Sequence, residues 1–167
     1  MKDLLAQLAQ SIAASPVQDW VVDWLRNVPG LPPIVQTIHI LSIACVMASI
    51  VMIDLRVLGI AVPSQSPDEM VRRLMPWLWT ALALLLLSGL MFVVARPRRY
   101  LLNPVFGIKM TLLAVAIIGS ALLARMLRKQ AGSALLKSTA AVSLLAWLGI
   151  VLAGRWIAYS DYLFPRR

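Results

Sequence analysis

Three ionisable residues interrupt long apolar runs in this chain: His39, Lys109 and Arg155. Such groups are costly to hold among lipid tails, so each needs a partner or a role. Along helices that rise about 1.5 Å per residue, all three fall in one layer, roughly 5–10 Å below the surface on the side where the chain begins and ends. An imidazole and two fixed cations at one level suit a ligand with a metal centre and anionic arms. Haem b is such a ligand, because His coordinates its iron and Lys or Arg pairs with its propionates. The expectation is therefore His39 as axial metal ligand, with Lys109 and Arg155 as propionate partners. His39 is the one histidine in the sequence, so a sixth ligand from the same chain must be of another type. Met91 and Met110 lie at about the right depth, and thioether with imidazole is a known haem pairing. Gly89 would leave room for a flat macrocycle to approach the backbone near Met91. Simpler roles compete with each of these. Lys109 and Arg155 could snorkel to the headgroups, the methionines could only pack, and His39 could bond to Gln36 one turn earlier.

The elements that must position these residues follow from composition. The chain has 167 residues, 60% apolar and 14% charged. A soluble domain is about 45–50% apolar and about 25% charged, so the sequence reads as an all-α integral membrane protein that contacts the lipid bilayer. A span needs about 20 mostly apolar residues. Four stretches qualify, at about 34–53, 77–95, 105–124 and 135–157. Backbone in lipid must satisfy its own hydrogen bonds, so these are helices, and short connections favour an up-down four-helix bundle. Residues 31–167 form this transmembrane domain. Residues 1–30 read as an amphipathic interfacial segment, with Leu4, Leu5, Leu8 and Ile12 at helical spacing and then Trp20 and Trp24 four apart. A cleaved signal peptide would need an apolar stretch that Gln7 and Gln10 do not break.

Helix starts are legible. Ser15-Pro16-Val17-Gln18 and Ser66-Pro67-Asp68-Glu69 both place Ser at the N-cap, Pro at the first helical position, and Gln or Glu at the third. The second of these opens a short amphipathic helix expected to end before Pro76. Asn103-Pro104 starts the third span. At the exit of the first span, Asp54 is expected to pair with Arg72 or Arg73 and pin the loop.

The net charge is +9. The bases mostly flank apolar runs, which points to topology control and anionic lipid rather than nucleic acid. Summed over Lys2, Arg26, Arg96, Arg98, Arg99, Arg166 and Arg167 on one side, against Arg56, Arg72, Arg73, Arg125, Arg128, Lys129 and Lys137 on the other, the bases balance. The first span decides: Arg26 precedes it, while Arg56, Arg72 and Arg73 follow, which leans the termini towards the periplasm of a bacterial inner membrane. The single cysteine, Cys45, excludes an intramolecular disulfide.

The run Gln36-x-x-His39 through Asp54-Leu55-Arg56-x-Leu-Gly59, continued by Met75-Pro76, Ser88-Gly89 and Asn103-Pro104-x-Phe106-x-x-Lys109-Met110, resembles a family of small, largely uncharacterised bacterial membrane proteins. More distantly it is similar to HemJ-type protoporphyrinogen oxidases and CopD-type copper-resistance membrane proteins. In the HemJ type a first-span His, an Arg at its far end, a Pro opening the second span, a Gly within it and a Lys on the third span recur. Here these correspond to His39, Arg56, Pro76, Gly89 and Lys109, and the resemblance implies a haem-binding four-helix core. The chain departs from that pattern in having no second histidine, which puts the oxidase activity in doubt.

The leading expectation is a haem-b protein in electron transfer, serving a periplasmic or quinone-linked redox partner. If it is an enzyme, it is a HemJ-like oxidoreductase. One alternative is copper handling through His39, Cys45, Met47, Met91 and Met110, since soft sulfur ligands suit Cu(I). The other is a non-catalytic anchor or assembly subunit that docks a partner or forms a homo-oligomer. A hydrolase is disfavoured, because the sequence offers no Ser-His-Asp set and no carboxylate pair within a span.

Overall fold

The computed structural model describes residues 2–127, 134–157 and Tyr159. The connection at 128–133, with Arg128 and Lys129, lies outside these, as do Arg166 and Arg167. Among the described residues the chain is all helix: α1 (Lys2–Ala13), α2 (Pro16–Asn27), α3 (Leu31–Leu58), α4 (Pro67–Ala95), α5 (Pro97–Leu101), α6 (Pro104–Leu127) and α7 (Ala134–Ile157). Four of them, α3, α4, α6 and α7, are long and apolar enough to cross a membrane, so the protein is a multi-pass membrane protein.

Local chemistry sets most boundaries. Ser15 Oγ accepts from the Gln18 N–H at 3.3 Å and starts α2. Ser66 Oγ accepts from the Glu69 N–H at 3.2 Å and starts α4. Asn103 Oδ1 accepts from the Val105 N–H at 2.9 Å at the head of α6. These caps satisfy N–H groups that a helix start leaves without partners. Helix α3 stops at Gly59, whose φ of 81° is left-handed, with its N–H bonded to the Arg56 carbonyl and the Ile60 N–H bonded to Leu55. That pair of bonds is a Schellman stop, and glycine takes its geometry without steric cost.

Two expectations are corrected here. First, the segment after Ser66 does not end before Pro76. Helix α4 runs unbroken from Pro67 to Ala95 with Pro76 inside it. Proline forfeits one backbone bond, but Pro76 faces outward, and helices in lipid tolerate such a defect where the surroundings take up the freed groups. Second, Asp54 does not pair with Arg72 or Arg73. Helix α3 continues a full turn past Asp54, which turns inward with Ile50, Ile53 and Val57 and is fully buried. Arg72 and Arg73 are exposed. The loop is pinned instead by Arg56, whose guanidinium donates to the backbone carbonyls of Gln65 and Pro63.

The four long helices pack as two antiparallel hairpins. Helix α3 lies along α4, and α6 along α7; α3 meets α7 across the middle, while α4 and α6 touch only sparsely. The main core fills the half of the bundle away from the termini: Val46, Ile50 and Ile53 of α3, Leu78 and Leu82 of α4, Ala116 and Leu123 of α6, and Trp147 and Ile150 of α7. At the terminal end there is a smaller cluster of Val105, Ala153 and Ile157, with Tyr100 and Phe106 against it. The outward faces carry Leu84, Leu87, Ile118, Leu122 and Leu145, all exposed, as a lipid-facing surface requires. Helices α1 and α2 lie at the terminal end, with α1 against α5, and α2 against α4 and α3.

Candidate functional site

His39 projects from α3 towards α4. Its Nδ1 lies 2.8 Å from Ser88 Oγ. Ser88 Oγ also lies 2.7 Å from the Leu84 carbonyl and 3.2 Å from that of Leu85, so it either accepts from Nδ1–H or gives its one proton to Nδ1, according to the tautomer. Either way the bond holds the ring by Nδ1 and leaves Nε2 without a hydrogen-bond partner among the described residues. The Phe92 ring meets the imidazole edge-on, with centroids 5.4 Å apart. Ser88 and Phe92 stand one helical turn apart and, with Gly89, form the α4 wall of the site.

Gly89 sits against the ring. A methyl placed there would lie 3.4 Å from His39 Cε1. The room left by this glycine is taken by the imidazole itself, rather than being an open slot beside Met91. His39 turns to Ser88, and Gln36, its other expected partner, is exposed.

Lys109 of α6 is half-buried and lies within electrostatic range of the His39 ring. Its Nζ lies 3.8 Å from where a side chain on Gly154 of α7 would begin. Neighbours on a helix diverge by about 100°. With Lys109 turned inward, Met110 turns out and is 43% exposed. With Gly154 turned towards Lys109, Arg155 turns out. Its guanidinium reaches Tyr159, donating to the hydroxyl at 3.2 Å and lying 5.3 Å from the ring centroid. Met91 is half-buried on α4, turned well away from Gly89 around the helix, since two residues of helix turn the chain by about 200°. The structure thus brings His39, Gly89 and Lys109 together and sets Arg155 and Met110 on the outer surface. Among the described residues no group of three or more His, Cys, Asp and Glu gathers at a point.

Ser88 and Phe92 complete this site, and neither was singled out as a site residue from the sequence. Their signal is faint: a Ser and an aromatic at i and i+4 on either side of Gly89, at the depth of His39.

A second polar centre lies deeper. Asp54 faces Ser143 of α7, yet among the described residues neither carboxylate oxygen nor Ser143 Oγ has a hydrogen-bond partner. One turn on from Ser143, the buried Trp147 Nε1–H donates to Ser120 Oγ of α6 at 3.1 Å.

These features define a four-span membrane protein with one oriented histidine and one inward lysine in the terminal-side layer. Residues 31–160 match the model of DUF6644, a family of unknown function, and the chain belongs to that family. Neither a curated protein nor a solved structure matches it.

Proposed function

We propose that this protein binds haem b in a bacterial inner membrane and passes electrons to or from a periplasmic or quinone-linked partner, with His39 as the residue that would hold the iron. One observation carries the reading: Ser88 holds the ring by Nδ1 and leaves Nε2 unbonded among the described residues; with the hydroxyl proton on Leu84, Nδ1 carries the hydrogen and Nε2 the lone pair that a metal needs. Ligating histidines commonly donate their other N–H in this way, which sets both tautomer and ring orientation. The donor chemistry fits the group, since it pairs a free imidazole nitrogen with an inward cation at the same level. The sparse α4–α6 seam is the least closed of the bundle, and the main core stops short of this layer. The resemblance to HemJ-type proteins points the same way.

Bound haem would supply a one-electron couple. The chain's own residues do the rest. Ser88 holds the His39 ring at a fixed rotation. Phe92 and Gly89 close the α4 side of the imidazole and limit water there. Lys109 offers a positive charge to a propionate, and Arg155 beside Tyr159 offers another from the outer surface. Met91 is half-buried where Met110 is exposed, so it is the stronger candidate for a second residue that would hold the iron.

The test is an absorption spectrum of detergent-purified protein, oxidised and then reduced with dithionite. A Soret band with sharp α and β bands on reduction is expected, and His39→Ala should abolish it. A variant that keeps the wild-type Soret band would sink the assignment. A wild-type protein that stays colourless under full haem supply would also overturn it. Copper binding to that colourless protein would then favour the copper reading, and a co-purifying partner the anchor reading.

A further inference from the structure

A pocket of about 390 Å³ opens at the terminal end of the bundle, where α1 and α2 meet the α4–α5 corner. Arg96, Arg98 and Arg99 line it from one side, and Gln18 and Ala13 from the other. All three arginines are exposed, and none makes a side-chain hydrogen bond or ion pair with any described residue. Among the described residues no carboxylate lines the pocket; Asp19, the acidic residue in the first turn of α2, is next to Gln18 but outside the lining. Three unneutralised guanidiniums around one hollow, with an amide beside them, make a receptor for a phosphate group, because guanidinium forks match phosphate oxygens in pairs.

The position of the pocket says which phosphate. It sits just beyond the last residues of the apolar helix α4, at headgroup depth. Trp20 and Trp24 stand exposed on α2 at the same end, with ring centroids 4.7 Å apart. Aromatics of this kind mark the membrane–water boundary, and clustered bases at that level attract anionic lipids. We propose that Arg96, Arg98, Arg99 and Gln18 form a binding site for the phosphate headgroup of an anionic phospholipid. The bound lipid clasps the α1–α2 segment to the bundle. The proposal is independent of haem binding.

The experiment uses the full-length protein, delipidated in detergent and titrated with phosphatidylglycerol or phosphatidylcholine, with bound lipid counted by native mass spectrometry. Wild type should retain phosphatidylglycerol and release phosphatidylcholine. Replacing Arg96, Arg98 and Arg99 together by Gln should weaken phosphatidylglycerol binding at least tenfold, and Arg98→Gln alone several-fold. Arg72→Gln with Arg73→Gln, a matched loss of exposed charge at the opposite end, should leave it unchanged. The single variant removes one exposed side chain and keeps the test open if the triple variant aggregates. Three results would each overturn the proposal: equal retention of phosphatidylglycerol by wild type and Arg98→Gln, equal retention of the two lipids by wild type, or full displacement of phosphatidylglycerol by millimolar inorganic phosphate. The last would assign the pocket to a soluble anion.

Discussion

At the scale of single residues, the proposed chemistry depends on which nitrogen of His39 carries its proton. Ser88 bears on this: with its hydroxyl hydrogen given to Leu84 it accepts from Nδ1–H, which leaves the Nε2 lone pair for a metal. Ser88→Ala removes that acceptor and leaves His39 free to turn. Loss of such a supporting bond typically costs about 10–100-fold in affinity for the bound metal centre. Haem titrated into apo Ser88→Ala should therefore bind more weakly by that order while still giving a Soret band; unchanged affinity would mean that Ser88 does not orient the ligand. Asp54 poses the opposite problem. Its carboxyl is buried with no hydrogen-bond partner among the described residues, and an unpartnered buried polar group costs about 1–3 kcal/mol by mutational measures. Asp54→Leu keeps the branched shape and removes the polar atoms, and where the core takes up the added volume it should raise the thermal unfolding midpoint in detergent. A fall would show that the carboxyl has a stabilising partner in the membrane-embedded protein.

At the scale of elements, the α6–α7 hairpin is joined by a buried polar contact between side chains. Trp147 Nε1–H bonds Ser120 Oγ, and both residues are buried. Ser120→Ala orphans the indole N–H and should cost about 1–3 kcal/mol. Adding Trp147→Phe should cost less in that background than in wild type, because the hydrogen bond is already lost. Denaturant midpoints of the four proteins give the coupling, and strict additivity would remove the bond from the account. The same scale explains what was legible beforehand. Ser15, Ser66 and Asn103 could be read as helix starts because a cap is a contact within three residues. The four spans could be read because lipid demands length and apolarity and little else. The continuity of α4 through Pro76 could not, since it depends on what surrounds the freed backbone groups rather than on the proline. Nor could the facing of Asp54 or the Ser88 partner of His39, because both depend on how one helix is rotated against another. Depth along a helix can be counted from sequence, which is why His39 and Lys109 were placed in one layer; the outward turn of Arg155 and Met110 is a matter of rotation, and depth does not constrain it.

At the scale of the whole molecule, the two proposed sites share one end. The His39–Lys109 layer and the three-arginine pocket both lie on the terminal side, while the main core fills the other half. The side that faces the cytoplasm therefore decides where electrons would be exchanged. Arg56, Arg72 and Arg73 follow α3, and one base, Arg26, precedes it closely. Short loops rich in Lys and Arg stay cytoplasmic, and the first span usually weighs most. This argues for termini in the periplasm, against the pull of Arg96, Arg98 and Arg99 in the opposite sense. A C-terminal alkaline phosphatase fusion should then be active and a green fluorescent protein fusion dark. The reverse pattern would turn the bundle over, place the arginine pocket among the lipids of the cytoplasmic leaflet, and require a cytoplasmic redox partner. Because the pocket's own charges favour that reversed arrangement, substituting all three by Gln should strengthen the periplasmic assignment in the fusion assay; a switch towards the cytoplasm on their removal would show that charge does not set the orientation of this bundle.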